Sequence, residues 1–247
     1  MIIKIDSHVH FLLSKYQTAP NWADVKNSLN IAALSGLDAV CITEHIEALG
    51  YEPLMRGLFI DNQLNASQGP NGEILYNDVA IFPGAELELA DKSNIGVHAD
   101  LPTLLTLNRA PGSYTIDSLY EALRTGNTPF KLVAHHIFWP GKTPECLQGI
   151  RSYVDAIEVP AKDLVNAERY INLARELKLV TTGGSDAHTF IQIGACCTLT
   201  DIGDCASLRQ EDWIRSRTTR HSYSEQSSRL VAMAKIHRQS LVRETGE

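Results

Sequence analysis

The sequence lacks the features that mark disulfide-bonded, zinc-ribbon and membrane proteins. Its five cysteines are odd in number and form no C-x-x-C pair, which argues against a disulfide framework and a zinc ribbon. No apolar run approaches the ~20 residues that a membrane-spanning helix needs. Residues 2–5 enter a strand pattern directly, without a signal-peptide-like stretch. We therefore predict a cytoplasmic protein that has no membrane partner.

Positive charge is scarce in most of the chain. The 247 residues carry 22 Lys and Arg against 29 Asp and Glu, a net charge of −7, and residues 208–247 hold eight of the basic residues against five acidic ones. An acidic body repels a phosphate backbone, which disfavours nucleic acid as a partner. We predict that residues 208–247 form a C-terminal helical tail with a solvated basic face.

Short β-branched runs alternate with helical patterns along the chain. A helix is predicted at 164–177, and strands are predicted at 2–5, 39–43, 79–82, 131–134, 156–159, 179–182 and 196–199. Such alternation is typical of parallel strands joined by helices. We therefore predict an α/β fold, a (β/α) barrel that forms a single domain over residues 1–247.

Histidines and carboxylates concentrate at the ends of these predicted strands. The chain has nine histidines, and seven of them follow predicted strands or stand beside carboxylates. In a parallel barrel the carboxyl ends of the strands meet on one face, which would bring these residues together. The groups are Asp6-Ser7-His8-Val9-His10, Thr43-Glu44-His45, Gly84-Ala85-Glu86, His98, His135-His136 and Gly183-Gly184-Ser185-Asp186-Ala187-His188.

Each group alone has an ordinary structural explanation, such as a hydrogen-bonded loop histidine or an Asp that caps a helix. Jointly they predict a multinuclear metal site. His8 and His10 project from the same side of an extended chain, whereas His136 points away from its neighbour His135 and is interpreted as structural. Mixed nitrogen and carboxylate ligands suit zinc, manganese or iron rather than calcium or magnesium.

These motifs resemble the hallmarks of the PHP (polymerase and histidinol phosphatase) domain superfamily, namely D-x-H-x-H, T-D-H, G-x-E, separated histidines and a terminal G-S-D-x-H. The resemblance spans about residues 3–200. It implies a distorted (β/α)7, TIM-like barrel. It also implies a metal-dependent phosphoesterase that hydrolyses a phosphomonoester or small phosphodiester, such as a phosphorylated metabolite or nucleotide, with a hydroxide that bridges two of its two or three divalent ions.

The resemblance further implies how the ligands are shared among the ions. One ion would be held by His8, His10, Glu86 and Asp186. Glu86 would bridge to a second ion on His98 and His135, and a third ion would draw on His45 and His188. Lys162 stands where the family often carries a phosphate-contacting arginine, so we expect it to bind the substrate. No catalytic residue is assigned beyond the metal ligands.

Two positions depart from the family pattern. The family usually has Asp or His five residues after the second histidine of the first motif, where this chain has Lys15, and the family's T-D-H is here Thr43-Glu44-His45. A third ion thus loses an expected ligand. We hypothesise that the Lys15 ammonium partly replaces the charge of that ion.

Other functions stay open on the sequence. An amidohydrolase-type metal hydrolase also uses H-x-H after its first strand, but it would lack a histidine two residues after the terminal Asp, so Asp186-Ala187-His188 favours the phosphoesterase. A non-catalytic regulatory module would use closed, four-coordinate sites, which this many ligands do not match. An exonuclease is disfavoured by the acidic body. Substrate specificity is expected in residues 50–77 and 101–114, which carry no motif.

Overall fold

The computed structural model describes residues 2–69, 72–201, 214 and 219–245. Within these residues the helices are α1 (Trp22–Leu34), α2 (Tyr51–Phe59), α3 (Leu101–Thr106), α4 (Ile116–Thr125), α5 (Ala167–Leu177) and α6 (Ser227–Thr245). Short 3-10 turns cover Gly149–Ser152, Ala161–Asn166 and Phe190–Gln192. The strands are β1 (Ile2–Val9), β2 (Ala39–Ile42), β3 (Ser67–Gln68), β4 (Ile74–Tyr76), β5 (Val79–Pro83), β6 (Ala85–Glu88), β7 (Asn94–Ala99), β8 (Phe130–His135), β9 (Ala156–Pro160), β10 (Val180–Gly184), β11 (Cys196–Asp201) and β12 (Arg220–Tyr223).

The prediction of a (β/α)7 barrel is wrong, although the fold is of mixed α/β class. The described strands form two sheets and no closed barrel, one in the order β12-β11-β1-β2-β5-β4-β3 and the other in the order β10-β9-β8-β7-β6. A barrel of this type needs a helical crossover between successive parallel strands. Here only Gly84 separates β5 from β6, and β6, β7 and β8 pair antiparallel. The antiparallel pairing of β11 with β1 interrupts the pattern again.

The strands that precede most of the histidine motifs do pair in parallel. β1, β2 and β5 run parallel in one sheet, and β8, β9 and β10 run parallel in the other. Two isolated bridges, Val9 with Ala187 and His45 with Glu86, connect the two sheets at the ends of these strands. Residues that follow separate strands therefore converge without a closed barrel.

Helix α5 lies within the range 164–177 that is predicted to be helical, and one of its faces is buried. Its buried residues recur at helical spacing, and the preceding residues 161–166 form a 3-10 turn rather than the first turn of the helix. Full burial of one large apolar side chain contributes roughly 1.5–3 kcal/mol, and this buried face holds α5 against β9 and β10. The helix ends at Lys178, whose φ of 58° is a left-handed C-cap.

The described part of the C-terminal segment folds onto the body of the protein. β12 pairs with β11, and α6 packs against the 3-10 turns Ala161–Asn166 and Phe190–Gln192. Ala234 is buried in this contact, and the ring of Phe190 lies edge-on to His237 with 5.5 Å between centroids. None of the described helices is long and apolar enough to span a membrane.

Candidate metal centre

Two buried histidine rings at the end of β1 face each other. The Nε2 atoms of His8 and His10 are 2.9 Å apart. The other ring nitrogens are engaged, because His8 Nδ1 lies 2.7 Å from Glu158 Oε1 and His10 Nδ1 lies 3.1 Å from Glu44 Oε1. An ionised carboxylate only accepts hydrogen bonds, so each Nδ1 carries the hydrogen and each Nε2 presents its lone pair. Two lone pairs at this distance require a proton or a metal ion between them.

Two carboxylates stand beside this pair. Asp186 Oδ1 lies 3.3 Å from His10 Nε2 and 4.0 Å from His8 Nε2. The oxygens of Glu86 lie 3.7 Å from His8 Nε2 and 3.8 Å from His10 Nε2. Ligand atoms bound to one ion at ~2.0–2.2 Å stand about 3–4 Å from one another. The four side chains predicted to hold one ion are therefore spaced like the ligands of a shared ion.

Three further predicted histidines surround the two carboxylates. His45 Nδ1 lies 2.9 Å from Glu86 Oε2, and His135 Nδ1 lies 3.2 Å from Glu86 Oε1. On the other side, His188 Nε2 lies 3.5 Å from Asp186 Oδ1. The two oxygens of Glu86 thus face different histidines, which is the arrangement that a carboxylate needs to contact two ions.

His136 joins the cluster through an unusual backbone conformation. Its φ is 27°, in the left-handed region that non-glycine residues rarely adopt. The sequence argument assumed an extended chain, in which His135 and His136 point to opposite sides. The positive φ ends that alternation, and His136 Nε2 lies 2.9 Å from Glu86 Oε1. The ring of Trp139 stacks on His136 with 4.2 Å between centroids.

His98, predicted as a ligand of the second ion, lies beside the cluster. It is buried on β7. Burial and the neighbouring rings of His135 and His8 lower the pKa of His98 to about 3, so its ring is neutral. Among the described residues it does not belong to the groups of donor atoms that lie within 4.8 Å of one another.

Four such groups are present in the described part of the chain, and their donor sets fit divalent ions. They include every predicted metal ligand except His98, and they add His136 and Glu158. Imidazole nitrogens mixed with carboxylates suit zinc, manganese and iron. The groups are His8, His10 and Asp186; His10, His45 and His188; His8, Glu86 and His136; and His8, His135 and Glu158.

The buried carboxylates of the centre are ionised. Burial alone would raise the pKa of Glu86, but His8, His45 and the hydrogen-bonding rings beside it hold that pKa well below its usual range. Burial likewise opposes ionisation of Asp186, whose pKa is nevertheless held well below its usual range by Lys162 and His10. Ionised carboxylates without water are costly unless cations compensate them. The centre is therefore built to attract positive charge.

Glu44 and Glu158 hold two of the clustered histidines in place. Glu44 accepts the Nδ1 hydrogen of His10, and its second oxygen accepts the backbone N–H groups of Phe11 and Leu12 at 3.0 and 2.9 Å. Glu158 accepts from His8, and its second oxygen accepts the backbone N–H of His136 at 3.1 Å. The glutamate in the Thr43-Glu44-His45 segment thus orients a ring.

Two lysines were singled out in the sequence, and only one contacts the cluster. Lys162 Nζ lies 2.8 Å from Asp186 Oδ2. Lys15 Nζ pairs with Glu47 instead. The cation in contact with a predicted metal ligand is therefore Lys162, at the start of the 3-10 turn that precedes α5.

The backbone around Asp186 is tightly constrained. Asp186 has a φ of 50°, and its N–H donates to the carbonyl of His8 at 2.8 Å. A Cβ atom at Gly184 would lie 2.2 Å from Glu158 Oε1 and 2.4 Å from His8 Cβ. Only glycine therefore lets β10 approach the His8 and Glu158 pair this closely.

Comparisons with known proteins found one matching family model and several similar solved structures. The family model described as PHP-associated matches residues 166–210. The crystal structure of PsfC from Pseudomonas syringae PB-5123 is 56% identical in sequence, with a TM-score of 0.93, and the match covers 97% of this chain and 99% of PsfC. No curated protein matches the chain.

Two further crystal structures share the fold at low identity. The lesion-specific endonuclease PfuEndoQ from Pyrococcus furiosus is 14% identical with a TM-score of 0.61, over 83% of this chain and 53% of that one. An Endonuclease Q complex with a 27-mer duplex, with an abasic lesion at the active site, is 15% identical with a TM-score of 0.56, over 83% and 54%. The prediction that disfavoured nucleic acid finds no support in these likenesses. Residues 166–210 match the PHP-associated family model, which confirms the predicted resemblance to the PHP (polymerase and histidinol phosphatase) domain superfamily, and the chain shares the fold of PsfC and of Endonuclease Q.

Proposed function

We propose that the protein hydrolyses a phosphoester bond in a small phosphorylated metabolite or nucleotide, with zinc, manganese or iron in its metal centre. The convergence of the His8 and His10 Nε2 atoms with Glu86 and Asp186 carries this proposal. These donors fit ions that share ligands, and His188 beside them lines an open cavity. Open positions beside shared ions are typical of catalytic rather than structural sites.

The proposed chemistry divides between the ions and the chain. When bound, two close divalent ions neutralise phosphoryl oxygens and lower the pKa of water from ~16 toward ~7. Glu86 would contact two ions, because its two oxygens face different histidines at 2.9 Å, His45 and His136. Glu44 and Glu158 keep the Nε2 lone pairs of His10 and His8 aimed at the centre.

Lys162 is proposed to steady the phosphoryl group. Its ammonium touches Asp186 and also lines the cavity, so an anion that enters meets this charge at the edge of the metal centre. A lysine ammonium has three N–H donors, and the contact with Asp186 Oδ2 uses one of them. The remaining donors are suited to an oxygen of the substrate.

A phosphodiesterase acting on DNA is a second candidate, because the fold is shared with Endonuclease Q. It differs from the first candidate in the size of the substrate and not in the chemistry of the metal centre. An amidohydrolase activity would need no phosphoryl group. A panel of phosphoesters separates the first two functions, and an amide and a lactone added to the same panel test the third.

The test is phosphate release from phosphomonoesters and nucleotides by protein reloaded with manganese, zinc or iron, with a chromogenic phosphodiester and DNA duplexes with and without an abasic site assayed in parallel. We expect small phosphoesters to be cleaved, Asp186→Ala to abolish cleavage, and Asp61→Ala at an exposed position to preserve it. Cleavage of DNA alone would favour the nuclease. No cleavage of any phosphoester by metal-loaded protein would overturn the proposal.

A further inference from the structure

The helix α6 forms one wall of a cavity beside the metal centre. The cavity has a volume of about 900 Å³, within the range of small-molecule sites. The body of the protein contributes Lys162 and His188 to its lining, and α6 contributes Lys235 and Arg238. His188 and Lys162 both lie within 4 Å of Asp186, so the cavity opens onto the centre.

The lining is positively charged although the chain is acidic. Three lining residues are cations, Lys162, Lys235 and Arg238, and none of the described residues that line the cavity is Asp or Glu. In a chain of net charge −7, such a lining favours anionic ligands. Two of the cations belong to α6, on the wall opposite the residues of the body.

Arg238 is held in position with most of its donors to spare. Its Nε and Nη2 atoms both donate to the carbonyl of Leu13, the Nε bond measuring 2.9 Å. A guanidinium has five N–H donors, so three remain for a ligand. Among the described residues no carboxylate oxygen lies within 4.0 Å of a charged nitrogen of Arg238 or Lys235, and Asp186 and Glu44 act on the Arg238 charge only from farther away.

We propose that Arg238 and Lys235 bind a second anionic group of the substrate, so that the natural substrate is a small molecule with two anionic ends. One end is the phosphoryl group at the metal centre and Lys162, which rests on the proposed function. The other end is a carboxylate or a second phosphoryl group held by α6. A planar guanidinium in a fixed position recognises either group through paired hydrogen bonds.

The experiment compares non-hydrolysable ligands by isothermal titration calorimetry on the metal-loaded protein. The probes are 3-phosphonopropionate, propane-1,3-diphosphonate and propylphosphonate, which keep one phosphonate and differ at the far end. We expect the two-ended probes to bind about 10- to 100-fold more tightly than propylphosphonate, the range of a charged hydrogen-bond contact. Whichever two-ended probe binds more tightly identifies the second group.

Three variants separate recognition from folding. Arg238→Ala should weaken the two-ended probes about tenfold or more and change propylphosphonate less than about twofold. Lys235→Ala, at an exposed side chain, should act in the same direction without disturbing the bond to Leu13. Arg229→Ala, exposed on the same helix, should change neither class of probe. Equal binding of all probes to the wild type, or equal loss of all probes in both α6 variants, would overturn the proposal. Because binding needs no turnover, failure of the proposed hydrolysis would not alter this result.

Discussion

The Nδ1 atom of His8 lies 2.7 Å from Oε1 of Glu158, and neither side chain is exposed to solvent. Such a carboxylate fixes the tautomer of a ligand histidine and strengthens its lone pair. Glu158 also accepts the backbone N–H of His136. A single side chain on β9 therefore supports two members of the cluster.

Replacement of Glu158 by glutamine should weaken the metal centre. The amide keeps the shape of the side chain but removes the charge that orients His8, and such changes typically cost 10- to 100-fold in metal affinity. Competition with a chromophoric chelator measures this affinity. Glu168→Gln, at an exposed position on α5, is the control and should leave the affinity unchanged. Equal affinities for Glu158→Gln and wild type would contradict the assigned role.

Metal binding should release protons at neutral pH. Burial disfavours the charged form of His8, but Glu158 and Glu86 outweigh it and raise the pKa of His8 well above 6.5. Burial likewise lowers the pKa of His10, but Glu44 and Asp186 outweigh it, and the pKa is raised from its usual value. Without metal, a proton therefore stays between the two facing Nε2 atoms above pH 6.5, and a metal ion must displace it.

The affinity for metal should accordingly rise as pH increases from 6.5. Each proton released per ion bound gives up to a tenfold gain per pH unit. Calorimetry at pH 7 in two buffers that differ in ionisation enthalpy counts the protons. A count of zero, with affinity independent of pH, would show that the rings are neutral before metal binds.

A methyl group at Gly96 should destabilise the centre from β7. A Cβ atom there would lie 2.2 Å from His135 Nε2, so Gly96→Ala must push the ring away from Glu86. Overpacking of this kind costs about 1–3 kcal/mol. Urea unfolding measures the loss of stability, and elemental analysis measures any loss of bound metal. Gly126→Ala, at the end of α4 where φ is −66°, should change both much less.

Asp6 should matter for stability rather than chemistry. Its carboxylate accepts the backbone N–H groups of His8 at 3.3 Å, Ser185 at 2.9 Å and Gly194 at 2.8 Å. Burial raises the pKa of Asp6 to about 6 against these hydrogen bonds, so at pH 7.5 it is ionised. Asp6→Asn turns an amide N–H toward a backbone N–H and should cost about 2–3 kcal/mol of unfolding free energy in urea at that pH. Asp61→Asn, exposed, should cost little; equal stabilities of the two variants would refute the role.

The convergence of the predicted metal residues followed from local sequence. His8, His10 and Asp186 each come directly after a buried run, and the ends of such parallel strands meet whether or not a barrel closes. The arrangement of the strands into two sheets could not be predicted from these patterns, because the sequence of a strand does not specify which strand it pairs with. The apolar run before Glu86, for example, leads through Gly84 into an antiparallel hairpin and not into a helix.

Two contributions to the site could not be predicted from residue spacing. His136 contacts Glu86 because its φ is positive, and no local sequence motif predicts that backbone conformation. Arg238 lies in a basic helical pattern that also describes a solvated face, so its place in the cavity depends on long-range packing of α6. Specificity was expected in residues 50–77 and 101–114, whereas the cavity beside the centre is lined by other segments.

The bond from Ser185 N to Asp6 Oδ1 joins residues 179 positions apart. His8 follows Asp6 by two residues and Asp186 follows Ser185 directly, so this bond holds together the two chain segments that carry the centre. A nascent chain emerging from the ribosome therefore carries its first histidine pair long before Asp186 and His188 are synthesised. Contacts of such long sequence separation form slowly, so a metal ion would meet the complete set of donors only at the last stage of synthesis and folding.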